Sequence, residues 1–415
     1  MYGSRKSPWT PTIRSLILIL LGLWVVVLFK VTGWSGQPLV DHNKVDEGFN
    51  RPLLRRETGT EAAREVPEKS RNDPNAVQGP IGSDAGSSLH ESRSFLEPHC
   101  PEVPDKNYPM DWPIMDVVKN WNPDVTEIPP KIHSSLCRFD YVTQLDIARA
   151  YRNAEVPFVV RNVPKMASTV HNWANLDYLA ERLGRNKSYL AEYSATNHFM
   201  YYSRRGNVPK GWEPPNENRK LTFPAWVDFA KRHENASAES PHYYFRFSST
   251  GPKAAEWLRG DLSVLTPQGD EDKFFLVDST RTRGIFCRFG MRGVVSAGHF
   301  DRTRNFITVM GGLRRYIISA PKNCEFMYLL PRSHPSERHS QVDWSAVDLE
   351  KYLDFPQAKV SELILEPGDF LYIPSGWLHY VMSLNMNWQC NAGSGAGRGR
   401  VGDLDRCGFG DLGQR

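Results

Sequence analysis

The six cysteines of this 415-residue chain include no Cys-x-x-Cys spacing. That argues against a structural zinc site, whose ligands come from closely spaced pairs. No dense Lys/Arg block with interleaved aromatics occurs, and the formal charge is only +4, so no nucleic-acid partner is expected. No internal repeat is present, which excludes solenoids and propellers. What the chain does have is a 40 % apolar fraction with 12 % aromatics. That suffices for a substantial core in one large domain or two ordinary ones.

The N-terminus differs from the rest. Leu16 to Phe29 is an unbroken apolar run, and with Ile13, Val31 and Trp34 it approaches the ~20 residues that span a bilayer. Arg5, Lys6 and Arg14 precede it while only Lys30 closely follows, which sets the N-terminus in the cytosol. The expectation is a cytosolic segment over 1–14, a transmembrane signal anchor over 15–34, and a disordered polar stalk over 35–97. The protein would then be a single-pass type II membrane protein, held in its membrane by the N-terminal helix, with a lumenal domain in the ER or Golgi. A cleaved signal peptide and a secreted product is the alternative, although no small-x-small site follows before Gly33-Trp34-Ser35. Sequons at Asn186 and Asn235 fit that topology. In an oxidising lumen Cys100 and Cys137 form a plausible local bridge; equally, all six cysteines can serve as small buried apolar residues.

Helical spacing is evident over 141–153, 176–183 and 223–233, and strand character over 156–161, 188–193 and 242–247. From Gly284 onward nearly everything is short strands and turns: 285–289, 298–301, 306–310, 315–319, 361–365, 370–373, 380–384 and 387–391. Short strands punctuated by Gly-Gly and Pro-Gly-Asp predict a mainly β fold, closed or sandwiched, with flanking helices. The catalytic domain would run over 98–395, and a Gly-rich tail over 396–415 reads as disordered.

Chemistry concentrates in Ser-Ala-Gly-His299-Phe-Asp301 and in Pro-Gly-Asp-Phe-Leu-Tyr-Ile-Pro-Ser-Gly-Trp-Leu-His379. Alternate side chains of a strand share a face, so His299 and Asp301 can aim at one point. His379 arrives from a later strand. Two imidazoles and one carboxylate on one face of a metal leave the opposite positions open, as a non-haem Fe(II) oxygenase requires for substrate and O2.

These motifs, with Asn305-Phe, Gly-Leu-Arg-Arg-Tyr-Ile-Ile and Glu192-Tyr-Ser-Ala-Thr-Asn-His-Phe-Met-Tyr-Tyr, resemble a cupin-type JmjC domain, from about Ala150 to Asn391. Within that group the chain most resembles the asparaginyl hydroxylase family of the hypoxia-inducible factor (factor inhibiting HIF). The resemblance implies a double-stranded β-helix, a jelly-roll fold. It also implies an Fe(II) enzyme that takes 2-oxoglutarate as cosubstrate together with O2. His299, Asp301 and His379 would be both metal ligands and catalytic centre. Arg314 would take the distal carboxylate of 2-oxoglutarate in place of the family's usual Lys, keeping the charge and altering the geometry. Ser296 and Tyr244 would hydrogen-bond the same carboxylate, while Asn305 and Asn391 would line the pocket. Neighbouring Arg315 better fits a solvent-facing hairpin. Trp377 would pack behind the ligand strand, and Asp369 would cap its turn.

The substrate grip departs from that family. Arg246 stands where the asparaginyl hydroxylase has Gln, and Arg338-His339 stands where it has Arg-Gln. Asparagine specificity is thereby in doubt, and an acidic or carbonyl-rich protein or peptide substrate is favoured. The hydroxylase's C-terminal dimer is not expected. The leading expectation is a membrane-anchored dioxygenase that hydroxylates a lumenal protein side chain. A JmjC-type demethylase and a non-catalytic cupin binding module are the alternatives.

Overall fold

The computed structural model describes residues 100–204, 208–250, 256–266, 274–396 and 401–410. The expected cytosolic segment, anchor and stalk lie outside the described residues.

Among the described residues, fifteen strands form two sheets. The early strands are β1 (Trp112–Pro113), β2 (Arg138–Asp140), β3 (Phe158–Arg161), β4 (Ser188–Ser194), β5 (His198–Phe199), β6 (Glu217–Thr222) and β7 (His242–Ser248). The later ones are β8 (Thr282–Gly290), β9 (Val295–Phe300), β10 (Asn305–Gly311), β11 (Arg314–Ser319), β12 (Lys359–Leu365), β13 (Phe370–Ile373), β14 (Leu378–Ser383) and β15 (Asn387–Ser394). One sheet runs β1-β12-β11-β14-β9-β5 and the other β2-β3-β13-β10-β15-β8-β7-β4-β6. From β8 onward the chain passes back and forth between them, and every pairing among these later strands is antiparallel. This is a mainly β, jelly-roll-like arrangement of two sheets with flanking helices.

The two-residue period of a strand decides what faces inward. On β8, Ile285, Cys287 and Phe289 join the core beneath the helices, while Arg288 shares the opposite face with Gly290. On β7, Phe245 and Phe247 pack outward, and Tyr244 and Arg246 line the interior cavity. The helix Phe223–Arg232 seals that outer core with Phe223, Trp226, Val227 and Ala230. Thr222 caps its first turn by accepting from the Ala225 amide. The helix Leu176–Leu183 is capped by Asn175, which accepts from the amides of Asp177 and Tyr178.

All six cysteines are paired: Cys100 with Cys137, Cys287 with Cys390, and Cys324 with Cys407. The last pair corrects the expectation of a disordered tail. Residues Val401–Cys407 form a 3-10 turn, with Leu404 and Phe409 buried in a second core that includes Trp121, Phe300 and Tyr380, and with Cys407 tied down covalently. Arg315 is likewise not in solvent. Strand pairing on both sides turns it into that core, where it is 1 % exposed, ion-paired to Glu362 at 2.6 Å and packed over Trp121.

Candidate metal and cosubstrate site

His299 stands near the end of β9, Asp301 just beyond it, and His379 on β14 is the registered partner of His299. Their ligand atoms all lie within 4.8 Å of one another. Each imidazole is oriented by its own strand, with Nδ1 of His299 2.8 Å from the Ala297 carbonyl and Nδ1 of His379 3.1 Å from the Trp377 carbonyl. A carbonyl can only accept, so each Nδ1 carries the proton and each Nε2 keeps its lone pair. Burial pushes both imidazoles down, His299 well down and with help from His379 and His339. Both are therefore neutral near pH 7. Burial alone would raise Asp301, but His379, His299 and Arg338 outweigh it and hold the carboxyl at about 2. Two neutral imidazoles and one carboxylate form a donor set suited to a ferrous ion.

Behind Asp301 runs a chain of three hydrogen bonds. Asn305 Nδ2 donates to Asp301 Oδ2 at 3.0 Å, Asn391 Nδ2 to Asn305 Oδ1 at 3.0 Å, and Arg288 Nη1 to Asn391 Oδ1 at 2.9 Å. Its direction is forced at both ends, because a guanidinium only donates and an ionised carboxylate only accepts. Asn305 and Asn391 line the cavity, and they also fix the Asp301 carboxylate. Arg288 was not anticipated. In Phe-Cys-Arg-Phe-Gly it reads as an ordinary strand residue, and only its shared face with Gly290 signals an inward position.

At the other end lies Arg314, 1 % exposed. Its Nη1 donates to the Tyr244 hydroxyl at 2.9 Å, its Nε to Asn387 Oδ1, and its Nη2 to the Arg288 carbonyl at 3.4 Å. Gly290 makes this position possible, since a Cβ there would lie 3.3 Å from Arg314 Nη2 and collide with Ser383. Ser296 and Tyr316 line the cavity with them. Burial would raise the Tyr244 phenol, yet Arg314 and Arg288 outweigh it and the phenol is lowered. Among the described residues no carboxylate pairs with Arg314. A buried cation left uncompensated costs several kcal/mol, so this end is built to receive an anion. Of the five guanidinium donors, three are engaged, and the dicarboxylate 2-oxoglutarate fits what remains.

Of the residues expected at the substrate, Arg246 and His339 line the cavity. Arg246 is ion-paired with Glu192 at 2.5 Å. His339 stacks on His299 with ring centroids 4.9 Å apart, and burial together with Arg338 lowers it to about 4. Arg338 is placed differently. It donates to the Phe300 carbonyl at 2.5 Å and lies 4.0 Å from Asp301 Oδ1, behind the metal ligand. The cavity, about 650 Å³ with its mouth, has Tyr201 at the rim, 53 % exposed. Trp377 is buried, and Asp369 closes its turn by accepting from the Glu366 amide while pairing with Arg138 and Arg161.

A model of the cupin-like domain family matches residues 144–392, more than half of the chain. Lysine-specific demethylase JMJ31 of Arabidopsis thaliana is 22 % identical over 281 residues, covering 60 % of this chain and 49 % of the relative. A tRNA wybutosine-synthesizing protein 5 from Gallus gallus is 31 % identical over 183 residues, 41 % of this chain and 55 % of that protein. Lysine-specific demethylase 8 of Xenopus tropicalis is 37 % identical over 101 residues, 24 % of this chain and 22 % of its own. The chain thus spans about half the length, or less, of these relatives. The comparisons establish the family and not the asparaginyl hydroxylase branch within it. The expected placement as a lumenal type II membrane protein is corrected. No helix of the described residues is long and apolar enough to cross a membrane, and the relatives carry the names of lysine demethylases and a tRNA wybutosine-synthesizing protein.

Proposed function

This chain belongs to the cupin-like family of JmjC-type domains, and from that premise we propose that it is an Fe(II)- and 2-oxoglutarate-dependent dioxygenase that hydroxylates a protein side chain. One observation carries the reading: three ligand atoms within 4.8 Å of one another share a cavity with a buried arginine that has no ion-pair partner among the described residues. When bound, iron and 2-oxoglutarate supply the oxidation, in which O2, 2-oxoglutarate and a C–H bond give succinate, CO2 and a C–OH bond.

The chain's own residues do the rest. His299, Asp301 and His379 would hold the metal on one face and leave the other open. Asn305 and Asn391 would keep the Asp301 carboxylate in the orientation needed to hold the metal, since rotating it breaks the hydrogen bond from Asn305 Nδ2. Arg314, Tyr244 and Ser296 would grip the distal carboxylate of 2-oxoglutarate. Buried walls (Ile307, Val381, Tyr316) exclude water beside them. His339 stays unprotonated beside His299, so it adds no charge against the metal.

The names of the demethylase relatives favour a second outcome from the same chemistry, hydroxylation of an N-methyl group followed by its loss as formaldehyde. Succinate release by the full chain, supplied with Fe(II), 2-oxoglutarate and mixed peptides, tests the proposal. Turnover that disappears in His299→Ala supports it. Equal turnover by the two proteins, or none by either, would leave the cupin as a binding module.

A further inference from the structure

Arg246 and Arg288 are registered partners on adjacent strands β7 and β8, and both side chains line the cavity. Like charges directly opposite one another in a sheet repel, so the pair calls for anions. Glu192 supplies one, but it pairs only with Arg246. Among the described residues Arg288 has no carboxylate partner. It keeps accessible surface inside the cavity, and it spends one donor on Asn391.

Charge bookkeeping across the cavity points the same way. Its lining includes three arginines (Arg246, Arg288, Arg314) and two carboxylates (Glu192, Asp301). A ferrous ion and doubly ionised 2-oxoglutarate cancel each other. One positive charge is left over, and Arg288 is the residue that bears it.

We infer that Arg288, buttressed by the Arg246–Glu192 pair, is a recognition site for a carboxylate, so that the group oxidised at the metal belongs to an acidic ligand. This rests on the oxygenase reading above. A guanidinium fork matches a carboxylate in two-point contact, whereas the ammonium of a methylated lysine would add to the surplus positive charge. The row Arg246–Arg288–Gln389 crosses three neighbouring strands, so the ligand's polar end has donors on both sides of Arg288. The acid can come from an aspartate or glutamate side chain of a protein or from a small free dicarboxylate; the chemistry is shared.

The test uses the full chain held inactive with Mn(II) and saturating 2-oxoglutarate under argon. Fluorescent peptide pools with a fixed central Asp, Asn or trimethyl-Lys are titrated, and free glutarate separately. We expect the Asp pool to bind about tenfold tighter than the Asn pool, with the trimethyl-Lys pool weakest. Arg288→Gln should bring the Asp-to-Asn ratio to about one, and Arg288→Lys should restore part of it, with melting curves reporting that both variants are folded. Glutarate binding that is lost in Arg288→Gln supports the same site with a small acid as its ligand. If neither the Asp pool nor glutarate binds in an Arg288-dependent way, the inference is overturned. It is equally overturned if Arg288→Gln weakens Mn(II) alone, for then Arg288 only positions Asp301. Failure of the unaltered protein to bind 2-oxoglutarate at all would instead remove the oxygenase reading.

Discussion

Arg314 shows what one buried side chain can be asked to do. It is held by Tyr244, Asn387 and the backbone of β8, and charge-assisted hydrogen bonds contribute about 1.5–3 kcal/mol each. Arg314→Ala should therefore weaken 2-oxoglutarate binding roughly 10- to 150-fold, as calorimetry would measure, while Arg314→Lys keeps the charge and loses less. Gly290→Ala places a methyl group against Ser383 and Arg314; the expected result is the same direction of loss, without removing any ligand-binding atom. An unchanged affinity in either Ala variant contradicts the assignment. At the level of single residues the grouping of His299, Asp301 and His379 could be read from the sequence, because a strand's alternation and a distal Trp-Leu-His state their own geometry. Arg288 could not. Its meaning comes from the residue opposite it on β7, and register between strands is set by the fold and not by local spacing.

Elements were legible where their period was strong. Leu176–Leu183 and Phe370–Ile373 fall where their patterns put them, and most other strands differ at their ends by a few residues. The helix Met166–Trp173 went unrecognised because its mixed polar residues make no clean stripe; it is held by burial of Met166, Thr169 and Trp173. The C-terminal turn was hidden by its Gly-rich surroundings, although Leu404, Cys407 and Phe409 supply the anchor that composition obscures. The Cys287–Cys390 bridge joins adjacent strands across 103 residues, and a loop of that size implies stabilisation of about 4–5 kcal/mol in the chain-entropy model. Cys287→Ser with Cys390→Ser should lower the melting temperature by several degrees. The loss should exceed that from removing Cys100–Cys137, which closes only 37 residues. Equal losses would argue that packing, and not loop closure, dominates.

Across the whole molecule, pH acts at the junction of β5 with the segment that carries Asp124. His198 on β5 pairs with Asp124 at 3.3 Å. Burial opposes both charges. For Asp124, hydrogen bonds from His198 and Asn197 outweigh it and lower the carboxyl from the ordinary 3.8 to about 2. For His198, Asp124 and Asp343 outweigh it and raise the imidazole above 6.5. The lowered carboxyl contributes stability above 3.8 that is lost as pH falls toward 2. The raised imidazole contributes stability below 6.5 that is lost as pH climbs past its folded value. Melting temperature should thus be favoured between about pH 4 and 6.5 by this pair, and Asp124→Asn should flatten both limbs. A profile unmoved by that substitution would show the pair to be inert.

One metal, held on a single face by His299, Asp301 and His379, would keep adjacent positions open for a keto acid anchored by Arg314. Anaerobic addition of 2-oxoglutarate to the Fe(II)-loaded protein, followed by visible absorption, measures this directly, because two-point chelation of ferrous iron by a keto acid is coloured. The expected result is a charge-transfer band that saturates with one equivalent of iron, is absent in His299→Ala, and needs more 2-oxoglutarate in Arg314→Ala. No band in the unaltered protein, or an undiminished one in His299→Ala, would contradict it.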